Sequence, residues 1–261
     1  MKLSVSQIGW QPQDQESALA IMSAAGFCGL EIAPTMVAGP KPYTPDGRLR
    51  GAAFAAEIKE KYGLAVSSMQ SIWYGVQGSM FGPERDQLLT YTKDAVLFAA
   101  AAGADNMVFG CPKNRILPEG MADGSAVDFF REIGDYASQQ GTLFSLEANP
   151  ADYGTNFMNT TAEAYDMVQR VASPGCRLNV DFGTLLMNGE DANWLRGKVN
   201  SIGHVHISEP QLARPRKRAG HMVLADILRQ EGYTGYVSIE MRQQPPEILR
   251  ELCTYVREVF G

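Results

Sequence analysis

Four short apolar runs in the second half of the chain each carry a residue that can move a proton or bind a cation. "FSLEANP" contains Glu147, "RLNVDFG" contains Asp181, "GHVHISE" carries His204 and His206, and "YVSIEMR" contains Glu240. Residues two apart in a β-strand point to the same side. If Phe144 and Leu146, Leu178 and Val180, Val205 and Ile207, and Val237 and Ile239 face one way, then Glu147, Asp181, His204, His206 and Glu240 all face the other. Three carboxylates aimed at one place repel one another, and burying an unpaired carboxylate is costly. A divalent cation resolves that repulsion. An oxygen-rich set with one imidazole suits Mn²⁺, Mg²⁺ or Co²⁺ better than a thiolate-type zinc site. The plainer reading satisfies each polar group separately, by a hydrogen bond or an arginine. The shared side and strand order of all four runs argue against it.

Such a set needs a scaffold that brings successive strand ends to one mouth. The sequence alternates strand-like and helix-like runs throughout. The strand signals are "KLSVSQIGW", "FCGLEIAP", "LAVSSMQSI", "NMVFG", "LFSLEAN", "RLNVDFG", "GHVHISE" and "YVSIEM". Helix signals follow each: "ESALAIMSAAG", "GAAFAAEIKEKYG" after a polar loop at 37–49, a long segment at 83–103, "AVDFFREIGDYASQQG", "TAEAYDMVQRVAS", a short helix near 191–199, "MVLADILRQEG" and "PEILRELCTYVREVF". The last run places Ile248, Leu252, Val256 and Val259 on one stripe. Strands alternating with helices imply parallel strands and right-handed crossovers. Eight such units predict an α/β (β/α)8 TIM barrel, one domain over residues 1–261, with its site at the C-terminal strand ends. The doubly wound alternative lacks a GxGxxG after the first strand.

Composition narrows the function classes. Of 261 residues, 45% are hydrophobic and 20% charged, an ordinary globular balance. The net charge of −6 argues against a nucleic-acid partner. Cys28, Cys111, Cys176 and Cys253 form no CxxC pair, so neither a zinc knuckle nor a disulfide framework is implied, and reduced thiols in a cytoplasmic protein are expected. "MKLSVSQIGWQPQ" turns polar too soon for a secretory signal. The longest apolar run, "AVLFAAAAGA", is too short to span a bilayer, so no membrane partner is expected.

With "LEAN", "NVDFG", "HVHISEP" and "GYTGYVSIEM" in place, the whole chain resembles the xylose isomerase-like TIM barrel superfamily of sugar isomerases, ketose epimerases, inosose dehydratases and endonuclease IV. The resemblance implies metal ligands Glu147, Asp181, His206 and Glu240, whose spacings of 34, 25 and 34 residues are each about one βα unit. It implies a divalent cation, Mn²⁺ first, with Mg²⁺, Co²⁺ or Zn²⁺ as alternatives. It also implies an ene-diolate reaction on a keto-sugar or related polyol carbonyl compound, with Glu147 and Glu240 as catalytic acid and base on opposite faces of the carbon. Homo-oligomers occur among such proteins. The multi-histidine site of the endonuclease branch does not fit a chain with only His204, His206 and His221. Ketose 3-epimerases typically add a glutamate, a histidine and an arginine where this chain has Tyr153, Thr184 and Leu212, so their substrate grip is not expected here. A lyase or dehydratase on a keto-sugar, keto-glycoside or keto-inositol is the alternative enzyme. A non-catalytic sugar- or metal-binding barrel is the alternative of another class, and it has no need of two opposed glutamates.

Further residues are candidates for binding a small sugar-like substrate. Glu31 ends the second strand, as a substrate contact, an orienting partner or half of a salt bridge. Trp10 and Trp73 end the first and third strands, as walls of a sugar pocket or as packing. Lys113 and Arg115, in "CPKNR", could hold an anionic group. Glu209 follows the seventh strand and binds substrate or caps its loop. "ARPRKRAGH" places Arg214, Arg216, Lys217 and Arg218 beside the proposed cation, as an anion grip or a solvated loop. His221 closes over the substrate or caps a helix. His204, one layer deeper than His206, is expected to support a ligand or belong to the core.

Overall fold

In the computed structural model, which describes all 261 residues, eight parallel strands close into a barrel in sequence order. They are β1 (Lys2–Ser6), β2 (Gly29–Ile32), β3 (Ala65–Met69), β4 (Asn106–Phe109), β5 (Leu143–Glu147), β6 (Cys176–Asp181), β7 (Ile202–Ile207) and β8 (Tyr236–Ile239). The helices are α1 (Gln15–Ala24), α2 (Pro34–Ala38), α3 (Pro45–Tyr62), α4 (Arg85–Ala101), α5 (Gly124–Gln139), α6 (Thr161–Val171), α7 (Phe182–Asn188), α8 (Ala219–Gln230) and α9 (Pro246–Phe260). No helix is long and apolar enough to cross a membrane.

The main apolar core lies between the outer barrel face and the helices. Leu146, Val180, Val205 and Val237 point into it from four strands and are fully buried. Helix α9 meets the barrel with Leu249, Leu252, Cys253, Val256 and Phe260, while Ile248 is only half-buried at its start. The barrel interior is different. TIM interiors are usually filled by branched aliphatic side chains. Here Ser4 and Ser67 share a hydrogen bond of 2.6 Å, Asn106 donates to Ser68 at 3.0 Å, and Ser145 donates to Asn106. Burial demands partners for these groups, and the neighbouring strands supply them.

Two elements differ from the sequence expectation. The loop expected over 37–49 is largely helical: α2 takes Val37 and Ala38, and α3 begins at Pro45, six residues before the apolar run suggests. Thr44 accepts from the Gly47 amide at 3.0 Å, and a proline at the first helical position costs no hydrogen bond. After β6, no α-helix forms near 191–199. Helix α7 starts directly at Phe182, and only short 3₁₀ turns follow, at Ala192–Leu195 and Val199–Ser201. The cause is Asp181, whose side chain accepts from the Thr184 amide at 2.6 Å and caps α7.

Strand register sets the depth of each polar side chain. Asp181 pairs with His206, Asn179 with His204, and His206 with Ser238. Glu147 pairs with Asn179. Glu240 lies just beyond β8, where its amide still donates to Ile207 at 3.1 Å. Backbone pairing thus carries Glu240 one layer above Ser238, at the barrel mouth.

Candidate functional site

A cavity of about 480 Å³ opens at the C-terminal ends of the strands. Glu147, Asp181, His206 and Glu240 all line it. They converge on one atom, His206 Nδ1. It lies 3.1 Å from Glu147 Oε1, 3.3 Å from Glu240 Oε2 and 3.9 Å from Asp181 Oδ2. The opposite nitrogen, Nε2, lies 3.0 Å from Glu31 Oε1. Glu31 is fully buried, accepts from Ser238 at 3.0 Å, and stands 3.6 Å from His204 Nε2.

This arrangement poses a definite electrostatic problem. If Nε2 holds its proton for Glu31, a neutral His206 presents a lone pair to three carboxylates. The crowding is relieved by a proton, on Nδ1 or on one of the acids, or by a bound cation. Burial alone would depress the His206 imidazole, but Glu240 and Glu31 outweigh it and hold it well above its ordinary value. Burial pushes the Glu240 carboxyl well up, with Glu147 and Asp181 adding to the effect against the pull of His206. Burial and Glu147 likewise raise Asp181. A divalent cation would replace the proton with a stronger charge and relieve all three acids. Ligand atoms of Glu147, Asp181 and His206 lie within 4.8 Å of one another, close enough to share one ion. A second group, Glu31, His204 and His206, is equally close, but of the three only His206 reaches the cavity.

Neighbouring polar groups hold the acids in place. Asn179 donates to Glu147 Oε1 at 2.6 Å, and Asn149 donates to Oε2 at 3.2 Å. Ser208 donates to Asp181 Oδ2 at 2.5 Å and accepts from the Gly183 amide at 2.8 Å. A Cβ on Gly183 would fall 2.9 Å from that hydroxyl and from the Glu209 backbone, so the "DFG" glycine permits the close approach. A Cβ on Gly110 would fall 2.8 Å from Glu147 Oε2, so that glycine leaves the carboxylate its room.

Several other candidates lie elsewhere. Glu31 does not reach the cavity, because His206 and Ser238 hold it beneath the floor. Trp10 is buried in the core and is no part of the cavity wall. Trp73 is also buried, donating to Thr92 at 2.9 Å and packing edge-on against Phe109 and Phe129. It touches only an outer cavity, whose wall also carries Lys113. Arg115 is fully buried, with its donors turned to the main chain. It donates to the backbone oxygens of Glu147, at 2.8 Å, and Met158, at 3.3 Å. Its burial lowers the guanidinium to about 10.

None of the four basic side chains over 214–218 lines the cavity. Arg214 pairs with Glu251 on α9. Arg216 is exposed and contributes only its amide, to Glu209 at 3.2 Å. Glu209 does line the cavity, but Arg218 grips both its oxygens, at 2.6 and 2.5 Å. His221 is wholly buried in α8, 2.9 Å from the Tyr255 hydroxyl and edge-on to Phe182. His204 is buried, and neither ring nitrogen has a hydrogen-bond partner.

The cavity also contains residues that strand-end reasoning passed over, among them Gln70, Asn149 and Arg242. Asn149 and Arg242 each follow an inward glutamate by two residues. Continuing the strand parity past the strand end would have found both. Tyr153, Thr184 and Leu212 line the cavity too, at the positions where ketose 3-epimerases typically carry their substrate-holding set.

The family model described as xylose isomerase-like TIM barrel matches residues 19–259. No curated protein matches the chain. Among solved structures, a D-psicose 3-epimerase from Clostridium cellulolyticum H10 is similar over 100% of both chains, at 16% identity and a TM-score of 0.78. A 3-keto-D-glucoside 4-epimerase from E. coli is similar over 99% of both chains, at 20% identity and a TM-score of 0.74. A family 2 AP endonuclease from Brucella melitensis matches over 99% of both, at 16% identity and a TM-score of 0.74. At these identities the likeness is one of fold.

Proposed function

Because this chain belongs to the xylose isomerase-like TIM barrel family, we propose that it is a divalent-metal-dependent sugar isomerase or epimerase. Its substrate is a keto-sugar or related polyol carbonyl compound, keto-glycosides included. The observation that carries the reading is the crowd of three carboxylates around His206 Nδ1, with Nε2 already committed to Glu31. Glu147, Asp181, His206 and Glu240 would hold the cation, with Mn²⁺ favoured by the oxygen-rich donor set. Bound there, the cation supplies polarisation of a carbonyl and its adjacent hydroxyl. The folds of the D-psicose and 3-keto-D-glucoside epimerases support a sugar substrate.

The chain's own groups would then move the proton. Glu147 and Glu240 approach the cavity from β5 and from beyond β8. One takes a proton from the carbon beside the carbonyl, and the other returns a proton to the opposite face. A carboxyl raised by burial, as Glu240 is, can hold a proton nearer neutral pH than a solvated one. Asn149 and Asn179 keep Glu147 from rotating away. Gln70 and Arg242 offer donors to substrate hydroxyls or to an acidic group. Tyr153, Thr184 and Leu212 make the grip on the substrate unlike that of a ketose 3-epimerase.

The test is metal analysis of the purified protein, followed by proton exchange of polyol carbonyl compounds in D₂O. Metal together with solvent exchange at the carbon beside the carbonyl is expected. Absence of bound metal, with no exchange on adding Mn²⁺, refutes the reading. The same acids could expel a leaving group beside that carbon, and release of water or an aglycone would reassign the protein as a lyase.

A further inference from the structure

We propose that the substrate is a two-ring glycoside whose second sugar ring occupies a separate compartment beside the metal-facing cavity. This rests on the metal-site reading above. The outer compartment, of about 510 Å³, lies between the loop after β3 and the loop after β4. It shares Ser71, Cys111 and Pro112 with the inner cavity, so the two spaces are adjacent.

The wall of the outer compartment suits a sugar. Tyr74 is 74% exposed, the most exposed large aromatic side chain of the protein, and it stands on this wall. An aromatic face left in water offers apolar area to the C–H face of a sugar ring, and its hydroxyl offers a polar edge. Gln77 and Lys113 supply hydrogen-bond donors on the same wall.

The compartment is also built rather than merely left open. Asn114 donates to the backbone oxygens of Val76, at 3.2 Å, and Gly78, at 2.8 Å, and its own carbonyl accepts from Met80 at 2.9 Å. The Asn114 side chain and main-chain oxygen thus tie the β3 loop at three points. Ser71 and Cys111, which line both spaces, both adopt left-handed backbone conformations, with φ of 55° and 47°. Non-glycine residues hold such angles only where the surroundings enforce them, and they gather at ligand sites. Two of the protein's six line both compartments.

Three 3-keto-D-glucosides that share the ketone-bearing ring separate the compartments: methyl, phenyl and glucosyl. Their affinities for the Mn²⁺-loaded protein are measured by calorimetry, for wild type and Tyr74→Ala. Tyr74 is too exposed for its loss to threaten folding. The glucosyl compound is expected to bind wild type about tenfold more tightly than the methyl compound. Tyr74→Ala should abolish that excess and leave methyl binding unchanged. Equal affinity of the glucosyl and methyl compounds overturns the inference while leaving the metal reading intact, and so does an equal loss of both in the variant. Tighter binding of the phenyl than of the glucosyl compound overturns it in favour of an aryl occupant. Failure of all three to bind the loaded protein overturns the inference, whereas failure of the protein to load Mn²⁺ at all refutes the metal reading.

Discussion

Replacing Glu31 with glutamine removes one negative charge from beneath the cavity while keeping the shape of the side chain. Glu31 lines no part of the cavity, so it acts on the metal site through its bond to His206 and through its charge, which also bears on Glu240. In wild type, its carboxylate accepts from Nε2 at 3.0 Å, fixing the tautomer that leaves the Nδ1 lone pair toward Glu147, Asp181 and Glu240. Such outer partners of metal-bound histidines typically contribute about 10- to 100-fold in metal affinity. Glutamine still accepts from Nε2, so about tenfold is expected. At a Mn²⁺ concentration 100 times the wild-type dissociation constant, binding stabilises the folded protein by about 2.7 kcal/mol, and a tenfold weaker site gives about 1.4 kcal/mol. At about 2–4 °C per kcal/mol for a chain near this size, the metal-induced rise in Tm should shrink by about 3–5 °C. Scanning calorimetry with and without Mn²⁺ reads that difference directly, and any change in the apo protein cancels. A metal-induced rise equal to that of wild type would refute the orienting role of Glu31.

Three further outcomes follow from the same geometry. Gly110→Ala puts a methyl group against Glu147 Oε2, the movable end of a side chain, so stability should change by less than about 1 kcal/mol. Mn²⁺ affinity measured by titration should nonetheless fall, and an unchanged affinity would show that the carboxylate does not need that position. Glu240→Gln should keep the fold by circular dichroism yet lose about 10²- to 10⁴-fold in exchange rate; activity close to wild type would remove it from the acid/base pair. Burial pushes the His221 imidazole down to about 4, so between that pH and about 6.5 only the unfolded chain takes up its proton. Its contribution is complete above pH 6.5 and is lost as pH falls, by about 3 kcal/mol at pH 4. Denaturant titrations from pH 4.5 to 7 should show a shallower acid slope for His221→Asn, and an identical slope would contradict the assignment.

Much of this architecture was legible because it is periodic. Alternation of period two turned Glu147, Asp181, His206 and Glu240 inward on four separate strands, and the βα repeat gave the barrel. What escaped depends on contacts distant in sequence. The basic loop could be read as an anion grip because nothing nearby announces its partners. Arg214 finds Glu251 at a separation of 37 residues, and Arg218 reaches back nine to Glu209. Trp10 stands at a strand end, yet its indole lies in the core, since a 3₁₀ turn over Gln7–Gly9 redirects the chain first. Other misses were local and avoidable. "TPDG" carries a capping threonine followed by proline, a start signal for α3 six residues earlier than its apolar run suggests. Asp181 has a second use, as the cap of α7, which starts that helix at Phe182 rather than near 191.

The polar lining of the barrel has a consequence for assembly. Strands β5 to β8 carry Ser145 and Glu147, Asn179 and Asp181, His204 and His206, and Ser238 on one face and apolar residues on the other. A slip of one residue in any of them would exchange the two sets. The helices would then meet hydroxyls and amides without partners, and the axis would receive side chains too bulky to fit. An interior of aliphatic residues would tolerate such an error more readily, because one apolar contact resembles another. Hydrogen bonds such as those joining Asn106 to Ser68 and Ser145 form only when neighbouring strands sit at matching heights. The interior therefore proofreads strand alignment, and the four groups at the mouth meet only in a barrel that has passed that check.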